Sequence, residues 1–195
     1  LYKVSFPAEF HAQTAAEAAL KLNIQLSNKL EEIDKIIIET QEPGMRIISK
    51  EGPLTNYADR DHCIEYIVVW CLLNGILDSD SYSDDSASDP RIDALREKTT
   101  TLENKKYTEI YYDLNHRAIP NKVIVKLNSG KEFEEEILYP LGHKKRRDEA
   151  TSFLREKFIN SMDNIDLNKD KLIDFYDIDD LDSINIYKIL ENITK

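Results

Sequence analysis

The apolar and polar positions in the first part of the chain predict helices and strands in alternation. An alanine-rich run after Pro7 predicts a helix over residues 7–22, because the fixed φ of proline suits a first helical turn. The β-branched run 36–38 in "EEIDKIIIETQE" predicts a largely buried strand. Residues 58–75 are helical in length and apolar nearly all round in their second half. This pattern indicates a helix inside a domain, ended by Gly75.

Proline, glycine and serine divide the middle of the chain. The stretch "EPGMRIISKEGP" lies between two Pro/Gly pairs, which predicts a loop that could include a short strand. The Ser/Asp-rich stretch "LDSDSYSDDSASDP" predicts a loop or a fraying helix. Its last two residues, Asp89 and Pro90, are typical of a helix start and predict a helix over residues 91–98.

Residues 121–140 give the clearest β pattern in the chain. Apolar residues alternate before and after a Ser129-Gly130 turn, which predicts an antiparallel hairpin. An amphipathic helix is predicted after "GHKKRRDEA", and the last thirty or so residues are also predicted to be helical. The expected fold class is therefore α+β, a small mixed α/β domain with an antiparallel hairpin and flanking helices.

Charge and composition exclude several classes of function. The chain has 37 acidic and 26 basic residues, a net charge of −11, which argues against nucleic acid as a partner. The longest apolar run, residues 66–73, is far shorter than the roughly 20 residues of a membrane span. No targeting signal is visible, and because the chain begins at Leu1 we expect the true N-terminus to be missing. Two cysteines favour a reducing compartment and cannot by themselves hold an iron–sulfur cluster.

The stretch "ADRDHCIEY" contains the first candidate site. His62 and Tyr66 are four residues apart and would share one helix face, with Arg60 half a turn away. These groups could bind a carboxylate and move a proton. The alternative is a helix N-terminus capped by Asp59 or Asp61, with His62 as an ordinary partly exposed residue. Spacing alone favours this structural interpretation.

The opening stretch "YKVSFPAEFHAQTAAEAAL" is the second candidate. It gathers Lys3, Glu9 and His11 around Pro7, ahead of a nearly apolar helix. The alternative is that Glu9 complements the helix N-terminus while His11 packs against the small residues that follow it. Spacing again favours the structural interpretation, although a small-residue face would let a ligand approach closely.

Two charged stretches are interpreted without a binding role. The basic run "HKKRR" could clamp an anion, but in so acidic a chain a solvated loop that pairs with "EFEEE" is favoured. The segment "DLNKDKLIDFYD" resembles the start of a calcium loop. Lys171 occupies the glycine position and Asp177 the position of the bidentate glutamate, so calcium binding is rejected.

Four phrases of the chain, in this order, resemble the 2-methylcitrate dehydratase family over residues 2–160. They are "YKVSFPAEFHAQTAAEAA", "TQEPGMRIISKEGPLTNYADRDHCIEYIVVWCLLNG", "DPRIDALREK" and "YPLGHKKRRDEA". Long phrases at consistent spacing are far more specific than a short motif. The last thirty-five residues match nothing in the family.

The resemblance implies the C-terminal portion of a larger homodimeric enzyme. Residues 1–140 would be its C-terminal α/β domain and residues 141–195 a helical segment, and the flanking helices would pack on an all-helical N-terminal domain that is absent from this chain. The implied reaction is a metal-independent and cofactor-free dehydration of 2-methylcitrate to a 2-methylaconitate in propionate breakdown. The implied location is the cytoplasm, or the mitochondrial matrix in a eukaryote. The isolated fragment would be inactive.

The resemblance also assigns roles to residues. Lys3 and Tyr66 match positions that are catalytic in the related cis-aconitate decarboxylases, with the lysine displaced by one residue relative to the proline. His11 would join them at the cleft between the domains, while Arg60 and His62 would bind substrate carboxylates or relay a proton. Two alternatives stay open: decarboxylation or isomerisation of a related carboxylate, and a non-catalytic interaction domain that keeps the fold.

Overall fold

A mixed four-stranded sheet organises the larger of the two units into which the chain divides. The computed structural model describes residues 4–26 and 28–161. The chain divides into two units, Leu1–Arg146 and Arg147–Lys195, and helix α8 is the described part of the second. The strands are β1 (Ile33–Thr40), β2 (Thr99–Glu103), β3 (Asn121–Leu127) and β4 (Glu132–Ile137).

Eight α-helices and three short 3₁₀ turns lie in the described residues. The helices are α1 (Gln13–Leu26), α2 (Glu42–Ile48), α3 (Tyr57–Asp61), α4 (Ile64–Asn74), α5 (Asp84–Ala87), α6 (Pro90–Arg96), α7 (Lys105–Tyr112) and α8 (Arg147–Ser161). The 3₁₀ turns are Phe10–Ala12, Leu30–Glu32 and Asp80–Tyr82. None of the described helices is both long enough and apolar enough to cross a membrane.

The sheet has the strand order β2-β1-β3-β4. Strand β1 runs parallel to β2 and antiparallel to β3, and β3 and β4 form the hairpin. One face presents fully buried side chains, among them Ile36, Ile38, Val123 and Val125. The opposite face of the hairpin is polar, with cross-strand ion pairs such as Lys122 to Glu134 at 2.8 Å. The expected α+β class with an antiparallel hairpin is confirmed.

Helix α1 packs between the sheet and α4. It contacts β3, β4 and α4, and its residues Ala15, Ala16, Ala18 and Ala19 are completely buried. Alanine has the highest helix propensity and a side chain of one methyl group, so it lets the helix lie close to neighbours on two sides. Leucine and isoleucine side chains of α1, α4 and the sheet fill the rest of this core.

Two predicted helices have different bounds in the structure. The helix predicted over 7–22 begins only at Gln13, because Glu9 caps a 3₁₀ turn that precedes it. The helix predicted over 58–75 is interrupted at His62 and Cys63, which separate α3 from α4. Its predicted end is confirmed, since Gly75 has a φ of 67° and caps α4.

The loop predicted over residues 42–53 is wrong, because α2 occupies its first half. Gln41 caps this helix by accepting a hydrogen bond from the Gly44 N–H at 2.8 Å, and Pro43 lies in the first turn. Sequence reasoning also missed β2 and α7. The strand predicted around residues 36–38 and the helix that follows Asp89 are confirmed.

The basic run before α8 is not the solvated loop that was predicted. His143 is fully buried and stacks on Tyr139, with ring centroids 4.7 Å apart. The Arg146 guanidinium donates two hydrogen bonds of 2.9 Å to the nearly buried Glu17 carboxylate of α1. Through Arg146, this run therefore links the end of the first unit to α1 by hydrogen bonds.

The segment at residues 166–177, for which calcium binding was rejected, lies outside the described residues.

Replacing Gly75 by alanine should destabilise the chain more than the same change at Gly130. Both glycines have positive φ, and this costs a side chain about 1–2 kcal/mol. At Gly75 the new Cβ would also lie 2.7 Å from Asn23 Oδ1, whose amide donates to the Leu72 carbonyl. Nothing lies within 4 Å at Gly130.

We therefore expect Gly75→Ala to lower the free energy of unfolding by about 1 kcal/mol more than Gly130→Ala, the usual net value of one hydrogen bond. Urea denaturation of both variants measures this difference. Equal losses would mean that Asn23 moves aside without cost.

Candidate functional site

His11 lies in the 3₁₀ turn before α1, where the sequence provides its own hydrogen-bond acceptor. Glu9 caps this turn by accepting from the His11 backbone N–H at 2.7 Å. The same carboxylate lies 3.0 and 3.1 Å from Nδ1 of the His11 ring. Although burial raises the pKa of Glu9, the hydrogen bonds and charge of His11 lower that pKa below its usual value. Glu9 and His11 thus form a nearly buried carboxylate–imidazole pair.

The other ring nitrogen of His11 contacts a residue one hundred positions away. Nε2 lies 3.1 Å from the hydroxyl of Tyr111, in the last turn of α7. Asn104 begins this helix by capping the N–H of Lys106. Tyr111 could not be predicted from the sequence, because no local pattern connects α7 with the start of the chain.

Strand β3 holds the His11 segment in place. The buried Asn121 side chain donates to the His11 carbonyl at 2.8 Å and to the Thr14 hydroxyl at 2.7 Å. Thr14 in turn donates to the Ile119 carbonyl at 2.6 Å. These polar groups have little access to water, so each hydrogen bond is costly to lose.

His62 forms a second carboxylate–imidazole pair close to the first. Its Nδ1 lies 2.5 Å from Asp61 Oδ1, and nearly half of its side chain, 47%, is exposed. The two pairs are joined through the backbone, because the Glu9 N–H donates to the Asp61 carbonyl at 3.2 Å. The break between α3 and α4 places His62 at this point, so it is not on the same continuous helix as Tyr66.

Tyr66 and Arg60 line a separate cavity of about 110 Å³ together with Arg96. The Tyr66 hydroxyl donates to the Ser81 carbonyl at 2.7 Å, and burial raises the pKa of this phenol to about 12. The Arg60 side chain is 7% exposed and donates to the Tyr82 carbonyl at 2.7 Å and to Asp84 at 2.8 Å. Its Asp84 partner is 87% exposed, so this ion pair is weak.

The structure therefore places the predicted residues in two groups. His11 and His62 belong to adjoining pairs, and Arg60 and Tyr66 share the small cavity. Lys3 lies outside the described residues. Asn121 and Tyr111 are additional site residues that sequence reasoning missed. Within residues 4–26 and 28–161, no three His, Cys, Asp or Glu side chains converge to hold a metal ion.

A larger cavity, of about 650 Å³, contains none of the predicted site residues. Its buried acid, Glu65, accepts hydrogen bonds from the Ser49 hydroxyl, the Lys50 N–H and the Thr101 hydroxyl. The Cys63 thiol also lies 3.2 Å from this carboxylate. These hydrogen bonds to Glu65 of α4 link the end of α2 and strand β2 to α4, so Glu65 has a structural role.

Two joined carboxylate–imidazole pairs with a phenol at one end are typical of a site for acid–base chemistry. In a comparison with known proteins, residues 6–173 match the model of the MmgE/PrpD C-terminal domain. The chain therefore belongs to the MmgE/PrpD family, which confirms the resemblance found in the sequence. The match runs to residue 173, so the prediction that the last thirty-five residues match nothing in the family is wrong for residues 161–173.

The relatives that this chain resembles in yeasts and bacteria are named 2-methylcitrate dehydratase or probable 2-methylcitrate dehydratase. A mitochondrial 2-methylcitrate dehydratase of Yarrowia lipolytica is 51% identical over 162 residues, which are 81% of this chain and 31% of the relative. A probable 2-methylcitrate dehydratase of Saccharomyces cerevisiae is 46% identical over 86% of this chain and 35% of its own length. The 2-methylcitrate dehydratase of Escherichia coli is 47% identical over 81% and 34%. The chain thus spans about a third of the length of these relatives.

Replacing Glu9 by glutamine should lower stability in a pH-dependent way. Because the folded pKa of Glu9 lies below the unfolded value of 4.5, its ionised form stabilises the fold above that pH. This contribution is lost as the pH falls through the folded pKa. We expect Glu9→Gln to cost about 1 kcal/mol at pH 7, and the difference from wild type to shrink below pH 4.5.

Urea denaturation at several pH values measures this effect. The exposed Glu51 provides a matched control, since Glu51→Gln removes a carboxylate that lies at the surface. A Glu9→Gln difference that does not vary with pH would show that the charge of Glu9 does not stabilise the pair.

Proposed function

We propose that this chain is the C-terminal part of a 2-methylcitrate dehydratase, a hydro-lyase that forms a 2-methylaconitate in propionate breakdown. The observation that supports this most is about 50% identity, over four-fifths of the chain, to relatives with that name in yeasts and bacteria. The acid–base groups at positions 9, 11, 61 and 62 suit a dehydration that needs no metal or organic cofactor.

The chemistry of dehydration sets what the site must supply. A base takes a proton from the carbon next to a carboxylate, an acid protonates the departing hydroxyl, and positive charge holds the substrate carboxylates. We assign proton transfer to His11, Lys3 and Tyr66, carboxylate binding to Arg60, and carboxylate binding or proton relay to His62. A substrate carboxylate could replace the exposed Asp84 as partner of Arg60, because an exposed ion pair is worth only about 0–1 kcal/mol.

The rest of the enzyme is part of the proposal. The relatives are about three times as long as this chain, which supports an upstream all-helical domain that closes over the Glu9–His11 and Asp61–His62 pairs. In this proposal residues 1–140 form the C-terminal domain, residues 141–195 a helical segment, and two copies associate as a homodimer. A cytoplasmic or mitochondrial location is proposed from the bacterial and mitochondrial relatives.

The full-length protein should dehydrate 2-methylcitrate without added metal. We expect the ultraviolet absorbance of the new conjugated double bond to rise with 2-methylcitrate, and the rate to be unchanged by a chelator. The 195-residue chain alone should give no turnover, because half of its proposed cleft is absent. Failure of the full-length protein to act on 2-methylcitrate would overturn the proposed substrate.

His62→Gln should reduce the turnover of the full-length protein far more than His116→Gln. Both histidines are exposed by nearly half and are paired with an aspartate, His62 with Asp61 and His116 with Asp113. Only His62 adjoins the Glu9–His11 pair. We expect kcat to fall about 100-fold or more for His62→Gln, as for other acid–base residues. The kcat of His116→Gln should stay within about twofold of wild type. Equal effects of the two changes on kcat would show that His62 is not part of the site.

A further inference from the structure

The donor and the acceptor can be assigned for each hydrogen bond of the His11 ring. An ionised carboxylate can only accept, so the two contacts from Glu9 require a proton on Nδ1 of His11. In the neutral ring Nε2 is then the acceptor, and Tyr111 donates its hydroxyl hydrogen to it across 3.1 Å. In the protonated ring Nε2–H donates to the Tyr111 oxygen, and the Tyr111 hydroxyl hydrogen is free to donate elsewhere. Glu9, His11 and Tyr111 thus form a chain along which one proton can move.

The ring of His11 is poorly placed to meet a substrate directly. Both of its nitrogens are engaged, and the residue is only 7% exposed. Tyr111 is half-buried and ends the chain of hydrogen bonds on the side away from Glu9. Any proton that His11 gives to a bound molecule would therefore pass through the Tyr111 hydroxyl.

We propose that Tyr111 is a further catalytic residue, whose hydroxyl protonates the hydroxyl group that leaves the substrate, with His11 as the group that resupplies its proton and Glu9 as the carboxylate that stabilises the protonated His11 ring. This inference rests on the proposed dehydration. It adds to the site a residue from α7, which no sequence pattern indicated.

In the proposed step a C–H bond and a C–O bond of the substrate break, and one water molecule leaves. The Tyr111 O–H bond breaks as its proton joins the departing oxygen, and the C–O bond breaks with its electron pair on the new water molecule. The electron pair of the neighbouring C–H bond forms the double bond, and that proton goes to a general base of the enzyme. The Nε2 proton of His11 moves to the Tyr111 oxygen, and the neutral ring regains a proton from solvent before the next turnover.

The surroundings of Tyr111 favour the protonated form of its phenol. Burial raises the pKa of this phenol, the neighbouring Tyr112 and Glu9 raise it further, and an opposite effect of Arg46 is larger only than the remaining increase from Glu42. Proton loss from Tyr111 alone is therefore unfavourable at neutral pH. Transfer from a protonated His11, stabilised by the Glu9 charge, avoids leaving a phenolate behind.

Tyr111→Phe in the full-length protein tests this role, with Tyr112→Phe as its matched control. Tyr112 is the adjacent residue of α7, and its hydroxyl contacts Glu42 at 3.1 Å outside the relay. We expect Tyr111→Phe to lower kcat on 2-methylcitrate about 100-fold or more while KM changes less than about threefold. Tyr112→Phe should leave both constants within about twofold of wild type.

A substrate analogue with fluoride in place of the departing hydroxyl separates proton donation from a structural role. Fluoride leaves with little need of an acid, so Tyr111→Phe should eliminate it at a rate close to that of wild type. A variant that is unimpaired on both substrates, or equally impaired on both, would overturn the proposal. If the wild-type protein does not dehydrate 2-methylcitrate, the proposed function fails and the relay is decided by the next measurement.

The tautomer of His11 tests the relay independently of any substrate. The 195-residue chain has four histidines, so ¹⁵N NMR of its imidazole rings is tractable. The His11→Gln variant of this chain assigns the His11 signal. We expect the neutral His11 ring to carry its proton on Nδ1, and its Nε2 signal to shift in Tyr111→Phe. A ring protonated on Nε2 instead, or an Nε2 signal that does not respond to Tyr111→Phe, would overturn the relay.

Discussion

The close packing of α1 between the sheet and α4 is the constraint on which the rest of the structure depends. Completely buried alanines line this helix on both sides, so its axis can approach β3 and α4 at once. A larger side chain at any of these positions would force one neighbour away, because protein cores have no spare volume. The start of α1 and the start of α4 are therefore fixed relative to each other, and His11 and His62 each lie two residues before one of these helices.

Hydrogen bonds between polar groups also hold α1 in position. The buried Asn121 and Thr14 side chains join the first turn of α1 to β3, and the Glu9 N–H joins the same segment to α3. Arg146 holds α1 from a third direction through Glu17. The carboxylate–imidazole pairs thus rest on a rigid support of buried hydrogen bonds, which is what precise proton transfer requires.

Sequence reasoning succeeded where local patterns determine structure. The strand around residues 36–38, the hairpin and the Gly75 helix end follow from β-branching, alternation and a left-handed cap. It failed at α2, where proline and glycine indicated a loop but lie inside a helix that Gln41 caps. It could not find the contact of His11 with Tyr111, because a pair one hundred residues apart is set by how α7 packs and not by any local period.

The histidines of the candidate site both lie where regular helix geometry is interrupted. His11 belongs to a 3₁₀ turn and His62 to the break between two helices, so neither backbone satisfies all its hydrogen bonds within one helix. At each break the side chain of a neighbouring acid binds the imidazole, which fixes one ring nitrogen and leaves the other to act. For His62 that nitrogen lies on a half-exposed side chain, while for His11 it meets Tyr111. In our proposal the same local arrangement gives one histidine direct access to a ligand and makes the other act through a phenol.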